Sequence, residues 1–216
     1  MNINKIISWG TFILIIGLIV VGMIASARKS AKANGFIEIM NTASTTDWIT
    51  GNASSTITLT EYSDFQCPAC AFYYPIVEKT LKERGDKIRF IYRNFPLPQH
   101  QNAMSAAQAA GAAGKQGKFW EMYSMIFGTH DEWENSTTTV DTFREYAVKL
   151  GLDIQKFDAD YLSDDVKQKI LNDEQQGSAA GINSTPTFYL NGKKTKMPEN
   201  SVDFVKLIDE AISTKI

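Results

Sequence analysis

The sequence predicts an α/β domain that is interrupted by a block of helices and preceded by an apolar N-terminal segment. Short runs of β-branched and aromatic residues lie in the first half of the chain and again near its C-terminus. Ala-rich and amphipathic stretches lie between them, and 22 uncharged residues lie close to the N-terminus. With 216 residues and 44% hydrophobic content, the chain is long enough to bury one substantial core.

The N-terminal segment, residues 6–27, is dominated by Ile, Leu, Val and Gly. As a helix that rises about 1.5 Å per residue, it would span a hydrocarbon layer of roughly 30 Å. We therefore predict one transmembrane helix that anchors the protein within residues 1–27. A cleaved signal peptide is the alternative, because Lys5 gives a basic start and residues 25–27, Ala-Ser-Ala, resemble a cleavage site.

Charge is distributed unevenly along the chain. The first 34 residues hold four basic residues and no acid, so 18 of the 22 Lys and Arg residues and all 24 Asp and Glu residues follow. The body of the protein is therefore acidic. Nucleic-acid binding requires clustered positive charge that displaces counterions from phosphates, and we find no such cluster after Lys32. We expect no nucleic-acid partner.

Two strands and a helix are predicted in the first half of the domain. Residues 57–62 and 87–93 are β-branched and aromatic, and residues 71–81 between them form an apolar stretch typical of a helix. A helical block follows, with stretches at 103–114, 119–127, 140–150 and 164–180. The order so far is strand, helix, strand, helices.

The chain returns to strand signals before its last helix. Residues 187–190 predict a strand, Asn191-Gly192 predicts a hairpin turn, and Ser201 is expected to cap a helix over 201–212. These elements give the domain boundaries. We assign 28–55 to a linker and lead-in that contacts the domain near Trp48 and Ile49, 56–98 and 183–216 to the α/β domain, and 99–182 to an inserted helical domain.

The chain contains two cysteines, in the sequence Cys67-Pro68-Ala69-Cys70 at a predicted strand-to-helix turn. Unpaired N–H groups and the helix dipole stabilise an anion at a helix N-terminus, so the pKa of the Cys67 thiol should lie well below about 8.5. Cys67 is therefore the candidate nucleophile. Cys70, one turn later on the same face, is placed to form a disulfide with it. Pro68 fits a helix start because its missing N–H would have no intrahelical partner.

Two other interpretations of the cysteines are weaker. A structural zinc site needs four ligands, and His100 and His130 are distant from the cysteines in the sequence and from each other. A static disulfide that closes so short a loop removes little entropy from the unfolded chain. We therefore predict redox exchange with no metal and no cofactor.

The residues around the cysteines resemble a known family. Residues 60–70, Thr-Glu-Tyr-Ser-Asp-Phe-Gln-Cys-Pro-Ala-Cys, are similar to the active-site strand and turn of DsbA-family proteins. Residues 93–98 resemble the family's second strand and its exit, and 184–192 resemble its cis-proline strand. Residues 47–52 are similar to the lead-in of anchored members. The resemblance implies a thioredoxin fold with an inserted helical domain, from about residue 46 to the C-terminus.

The resemblance also implies roles for individual residues. Glu61 occupies the position of a buried acid, where a carboxylate with raised pKa could move the proton of Cys70, whereas an exposed edge position is the alternative. Pro186 matches the cis-proline that faces the cysteines, and Thr185 before it would help to bind and release substrate; an ordinary trans-proline is the alternative. Ala69 replaces a histidine of the best-known oxidase, which predicts a milder oxidant.

From these residues we predict a dithiol oxidase that introduces disulfides into exported proteins and is reoxidised by a membrane redox partner. The alternatives are a reductase or isomerase on the same fold, and a binding or chaperone module with a structural disulfide. Disulfide chemistry belongs outside the cytosol, which predicts a single-pass protein of the cell membrane with an extracytoplasmic catalytic domain. The three basic residues after the apolar segment favour the opposite orientation.

Overall fold

The computed structural model describes residues 17–29 and 40–214, which belong to two compact units divided after Ile39. Helix α1 covers residues 17–29 of the first unit, and its larger apolar side chains, such as Leu18 and Met23, are exposed. Residues 6–16 of the predicted transmembrane helix lie outside the described residues. Within 17–29 and 40–214, no helix is both long enough and apolar enough to cross a membrane.

The second unit contains a five-stranded mixed sheet with the strand order β1-β3-β2-β4-β5. Its strands are β1 (Trp48–Gly51), β2 (Thr58–Ser63), β3 (Arg89–Asn94), β4 (Thr187–Leu190) and β5 (Lys193–Thr195). Strands β2 and β3 are parallel, and the other neighbours are antiparallel. Every residue of β2 is buried, as expected for a central strand with both faces covered.

Eight helices accompany this sheet in the described part of the second unit. They are α2 (Pro68–Arg84), α3 (Ala103–Gly114), α4 (Phe119–Gly128), α5 (His130–Trp133), α6 (Thr139–Lys149), α7 (Ile154–Tyr161), α8 (Asp164–Ala179) and α9 (Ser201–Ser213). Helix α2 connects the parallel strands β2 and β3, because parallel neighbours require a crossover. The turn between β2 and α2 therefore lies at the carboxyl end of β2.

The hairpin between β4 and β5 confirms the predicted Asn-Gly turn. Asn191 and Gly192 adopt φ values of 52° and 77°, the left-handed conformation that this tight turn requires at both central positions. The Asn191 side chain also accepts a hydrogen bond from the backbone N–H of Thr58 at 3.0 Å. The turn is thereby tied to the first residue of the central strand.

Small residues allow the helical block to pack closely. Most of the alanines of α3 are buried, and α3 contacts α4, α6, α7 and α8. A Cβ atom added to Gly114 would lie 2.3 Å from the ring of Trp48, which stacks on Phe119 with 4.2 Å between ring centroids. The absence of a side chain at Gly114 thus lets β1 and α4 meet beside α3.

A buried ion pair holds the segment before β1 against the sheet. The guanidinium of Arg93 donates to both carboxylate oxygens of Asp47, at 3.0 and 2.7 Å, and both side chains are 2% exposed. Arg93 also donates to the Tyr62 hydroxyl at 3.0 Å. Nearby, Lys169 pairs with Asp173 at 2.6 Å.

Several local predictions are wrong. Residues 48–51 form strand β1, although 28–55 was assigned to a linker, because these residues pair with β3 across the sequence. Asn200 caps α9 by accepting from the N–H of Asp203, so Ser201 is inside the helix. The predicted helical stretches did not include the short helices α5 and α7.

Candidate active site at the start of helix α2

Cys67 is the cap residue at the N-terminus of α2. Its φ and ψ of −70° and 122° are extended, and Pro68 follows at the first helical position, as predicted. The Cys67 N–H donates to the carbonyl of Asp64 at 3.0 Å, and its carbonyl accepts from the N–H of Ala71 at 3.0 Å. The turn after β2 therefore places this thiol among the free N–H groups of the helix start.

The environment of Cys67 favours its thiolate. Two features favour the neutral thiol instead: its Sγ can donate to the carbonyl oxygen of Thr185 at 3.4 Å, and the residue is only 6% exposed. A hydrogen bond from the Cys70 thiol, supported by the N–H groups of Cys70 and Ala69, lowers the pKa of Cys67 to about 5 despite burial. Cys67 is therefore anionic at neutral pH when the cysteines are reduced, as they are in this structure.

The environment of Cys70 favours its protonated form. The residue is 1% exposed, and its Sγ accepts a hydrogen bond from the N–H of Asp64 at 3.5 Å. Burial raises the pKa of the Cys70 thiol well above its ordinary value, and the charges of Cys67 and Glu61 raise it further. The Cys67 thiol thus tends to ionise, whereas the Cys70 thiol in the same helix turn tends to stay protonated.

Glu61 lies in the interior of the sheet. It is 2% exposed on β2, opposite Tyr92 of β3 and Phe188 of β4, so the alternative of an exposed edge residue is wrong. Its Oε2 has no partner within hydrogen-bonding distance among the described residues. Burial, with the nearby charge of Cys67, raises the pKa of Glu61 to about 7. A carboxyl group with this pKa can gain or lose a proton at neutral pH.

The loop before β4 brings Thr185 and Pro186 to the cysteines. The Thr185–Pro186 peptide is cis, so the alternative of an ordinary trans-proline is wrong. Thr187 holds the loop by donating from its hydroxyl to the carbonyl of Ser184 at 2.8 Å. The buried Thr185 hydroxyl has no partner within hydrogen-bonding distance in the described part of the chain.

Two polar residues of the active-site turn were missed by the sequence analysis. The buried carboxylate of Asp64 accepts from the backbone N–H groups of Gln66 and Leu97, both at 2.8 Å, and contacts His100 Nδ1 at 2.7 Å. The Gln66 side chain accepts from the N–H of Asn102 at 2.6 Å and donates to the carbonyl of Glu134 at 2.7 Å. These bonds join the turn to the loop after β3 and to α5. In the sequence, only the position of Asp64 and Gln66 between the predicted strand and the cysteines could have indicated that they support the turn.

Both histidines lie near this turn, although they are distant from the cysteines in the sequence. His100 contacts Asp64, and His130 Nε2 donates to the carbonyl of Gln66 at 3.0 Å. The ligand atoms of His130, Asp131 and Glu134 lie within 4.8 Å of one another. Asp131 is fully exposed, and we assign no metal to this group.

Comparison with known proteins places this geometry in a family. The family model described as Thioredoxin matches residues 43–210. Alpha-DsbA1 of Wolbachia pipientis superposes with a TM-score of 0.70 at 20% identity, over 82% of this chain and 96% of that one. BdbD of Bacillus subtilis gives 0.67 at 20% identity, over 78% and 94%. A thioredoxin-like oxidoreductase from Silicibacter pomeroyi gives 0.66 at 23% identity, over 79% and 94%.

The chain also matches part of a larger curated relative. The Na⁺/H⁺ antiporter NhaA 1 of Mycolicibacterium gilvum is 34% identical over 166 residues, which are 76% of this chain and 26% of the antiporter. The chain thus spans about a quarter of the length of the curated relatives it matches. Because the Thioredoxin model covers most of the chain and the cysteines begin the helix after the central strand, the chain belongs to the thioredoxin family, with the fold of the DsbA proteins.

Proposed function

We propose that the protein is a thiol-disulfide oxidoreductase that acts as a dithiol oxidase on exported proteins. The observation that carries the proposal is the opposite behaviour of the two thiols, an acidic Cys67 and a buried, weakly acidic Cys70. Stabilising the Cys67 thiolate stabilises the reduced form of the pair. The disulfide form is correspondingly a better oxidant.

The reaction is a pair of thiol-disulfide exchanges. In the oxidised protein, a substrate thiolate attacks Cys67 Sγ, the Cys67–Cys70 bond breaks, and Cys70 leaves as a thiolate. A second substrate thiolate then attacks the substrate sulfur of the mixed disulfide and releases Cys67 as a thiolate. The substrate loses two electrons and two protons and gains a disulfide, while the protein becomes a dithiol.

Glu61 supplies the proton that Cys70 needs. Cys70 leaves into a buried site where its thiolate is disfavoured, and the charge of Glu61 interacts with it. A protonated Glu61 gives its proton to Cys70 in the oxidising direction, and the carboxylate takes it back in the reverse direction. The pKa of about 7 suits both transfers.

Thr185 and Pro186 form the surface on which the substrate chain lies. The Thr185 carbonyl is 3.4 Å from Cys67 Sγ, so a chain bonded to Cys67 must pass this loop. The unpartnered Thr185 hydroxyl is available to its backbone. Strand-like pairing beside the cis-proline would hold the substrate cysteine in line with the disulfide.

Turnover requires a partner that removes two electrons and two protons from the dithiol, and we assign this step to a membrane redox protein. We place the catalytic domain outside the cytoplasm, anchored by the N-terminal segment, because structural disulfides persist there. Labelling of intact cells with a membrane-impermeant maleimide after mild reduction tests the location. Reaction of Cys67 only after lysis would contradict it.

A reductase or isomerase is the second candidate, and Ala69 is the observation that favours it. This exposed residue adds no positive charge beside the Cys67 thiolate. Equilibration with glutathione separates the candidates by reduction potential. A value more positive than about −180 mV supports an oxidase, and a value near about −270 mV supports a reductase. An unreactive bridge below about −300 mV would indicate a structural disulfide.

A further inference from the structure

A cleft with an acidic lining lies on one side of Cys67. This acidic cleft has a volume of about 520 Å³, and its walls include Pro68, Phe72, His130, Asp131, Glu132 and Glu134. Phe72 is 53% exposed and provides an apolar surface. Asp131 and Glu132 are exposed and Phe127 also lines the cleft, so an occupant meets negative charge and aromatic rings.

A second cleft, with a basic lining, lies beside the cis-proline loop. This basic cleft has a volume of about 380 Å³, and its walls include Tyr73, Pro186, Phe188, Lys194, Lys196 and Met197. Lys194 and Lys196 are exposed, and Lys193, the first residue of β5, precedes them in the sequence. Glu199 interacts electrostatically with Tyr73, and its negative charge offsets part of the positive charge of the lysines. The lysines outnumber it, so the cleft stays basic.

Each cleft is lined by a residue that directly follows Cys67 or Thr185 in the sequence. Pro68, the residue after Cys67, lines the acidic cleft, whereas Pro186, the residue after Thr185, lines the basic cleft. The start of α2 separates them, with the rings of Phe72 and Tyr73 5.5 Å apart at their centroids. A polypeptide bonded to Cys67 therefore has the acidic cleft on one side and the basic cleft on the other.

The junction between the clefts lacks one polar partner. Thr185 is 9% exposed, and its hydroxyl has no partner within hydrogen-bonding distance in the described residues. A buried polar group without a partner costs free energy, which a backbone group of a bound chain would recover. This observation is independent of the charges and indicates an extended polypeptide as the occupant.

We propose that the two clefts select substrate segments that carry opposite charges on the two sides of the substrate cysteine, with basic residues on one side and acidic residues on the other. The inference rests on the proposed function and names its substrate class. Exposed charges of this kind mainly raise association rates and fix the register of a partner. They would orient a substrate chain so that its cysteine arrives at Cys67.

Two cysteine peptides of identical composition test this inference. One carries two lysines before the cysteine and two glutamates after it, the other has the reverse order, and a peptide with serines at these positions serves as the neutral reference. We expect their exchange rates with oxidised protein to differ by about fivefold at low salt. The difference should largely disappear at about 1 M salt, where the screening length is about 3 Å.

Charge reversal supplies the decisive variant. Combining Asp131→Lys and Glu132→Lys with Lys194→Glu and Lys196→Glu should invert the ranking of the two peptides. Each pair of substitutions alone should reduce the difference without inverting it. Exchange of the exposed pair Arg144→Asp with Asp158→Arg, which lines neither cleft, is the control and should leave the ranking unchanged.

The outcomes separate this inference from the proposed function. Equal rates for the two charged peptides, or the same ranking in the reversed variant, would overturn charge-ordered selection while exchange with the neutral peptide keeps the oxidoreductase proposal. Failure of all three peptides to react would overturn both. Inversion of the ranking by the four substitutions supports the inference, because the net charge of the protein is unchanged.

Discussion

Cys67 Sγ lies 3.4 Å from the carbonyl oxygen of Thr185, although 118 residues separate the two in the sequence. The sheet creates this contact, because β2 leads into the turn of Cys67 and pairs antiparallel with β4, which follows Pro186. Cys67 and the cis-proline loop are therefore attached to neighbouring central strands. Their relative position depends on the core of the sheet, not on a flexible surface loop.

The first prediction concerns the division of roles between the cysteines. Cys70→Ser should accumulate covalent adducts with exported proteins, because the Cys67 thiolate can still attack a substrate disulfide but Cys70 is no longer present to resolve the mixed disulfide. Cys67→Ser should trap far fewer, since Cys70 is buried and its pKa is raised. Non-reducing electrophoresis of cell extracts, with and without reductant, measures the adducts. Equal trapping by both variants would reverse the assignment, and trapping by neither would support an idle disulfide.

The second prediction concerns the acidity of Cys67. Its thiolate absorbance in the ultraviolet should titrate with a midpoint near 5, far below the ordinary pKa of a thiol, because Cys70 and the N–H groups of the helix start stabilise the anion. Ala69→His should lower this midpoint and make the disulfide more oxidising, because an imidazolium adds positive charge beside the thiolate. Ala69→Gln, which adds size without charge, is the control. A midpoint near 9 would remove the main support for the oxidase proposal.

The site was predictable from sequence where its chemistry is local. The position of Cys67 at a helix start and the Asn191-Gly192 turn depend on neighbouring residues, and the structure contains both. The cis peptide before Pro186 came from family resemblance. The supports of the turn could not be predicted in this way. Asp64 contacts His100, which is 36 residues away in the sequence. Only the folded sheet and its loops bring these two side chains together.

Strand β1 was missed for a related reason. Four residues, Trp48–Gly51, carry a weak strand signal within a stretch rich in Ser and Thr. They form a strand because β3 offers an edge for pairing and because Trp48 packs on Phe119 and over Gly114. These contacts join parts of the chain that are 38 residues apart or more. Local propensity contains no information about them.

The third prediction tests this packing through Gly114. Gly114→Ala should destabilise the domain by about 1–3 kcal/mol, because the new methyl group would overlap the Trp48 ring. Gly128→Ala is a matched control at a helical glycine where an added Cβ meets nothing within 4 Å. That control should be neutral or slightly stabilising. Urea unfolding monitored by tryptophan fluorescence measures both, and equal effects would show that Gly114 is not needed for close approach.

The fourth prediction concerns the buried pair Asp47–Arg93. Asp47→Ala should lower the free energy of unfolding by about 3–5 kcal/mol, because a guanidinium that is 2% exposed loses its carboxylate. Asp158→Ala breaks an exposed pair with Arg144 and should cost less than about 1 kcal/mol. Denaturant unfolding of both variants provides the comparison. A similar small cost for both would mean that the segment before β1 is not held by this pair.

The fifth prediction links the raised pKa of Glu61, on which its proposed proton transfer depends, to stability. In the folded protein its pKa is raised from 4.5 to about 7, so its carboxyl group stays protonated between these values while it ionises in the unfolded chain. The protonated carboxyl group therefore makes its full contribution to the stability of the fold below about pH 4.5, and this contribution is lost as the pH rises through 7. The loss amounts to about 3 kcal/mol. Glu61→Gln, which cannot ionise, should be more stable than the native protein at pH 8 and similar to it at pH 4.

The same substitution should impair exchange. Without a carboxylate to take the proton of Cys70, resolution of the mixed disulfide on Cys67 should slow by about 10- to 100-fold in stopped-flow measurements. Its rate should also lose the dependence on pH around 7. Glu83→Gln, the same change at an exposed position of α2, should alter neither rate nor stability. Unchanged exchange in Glu61→Gln together with increased stability at pH 8 would assign Glu61 a structural cost and no part in proton transfer.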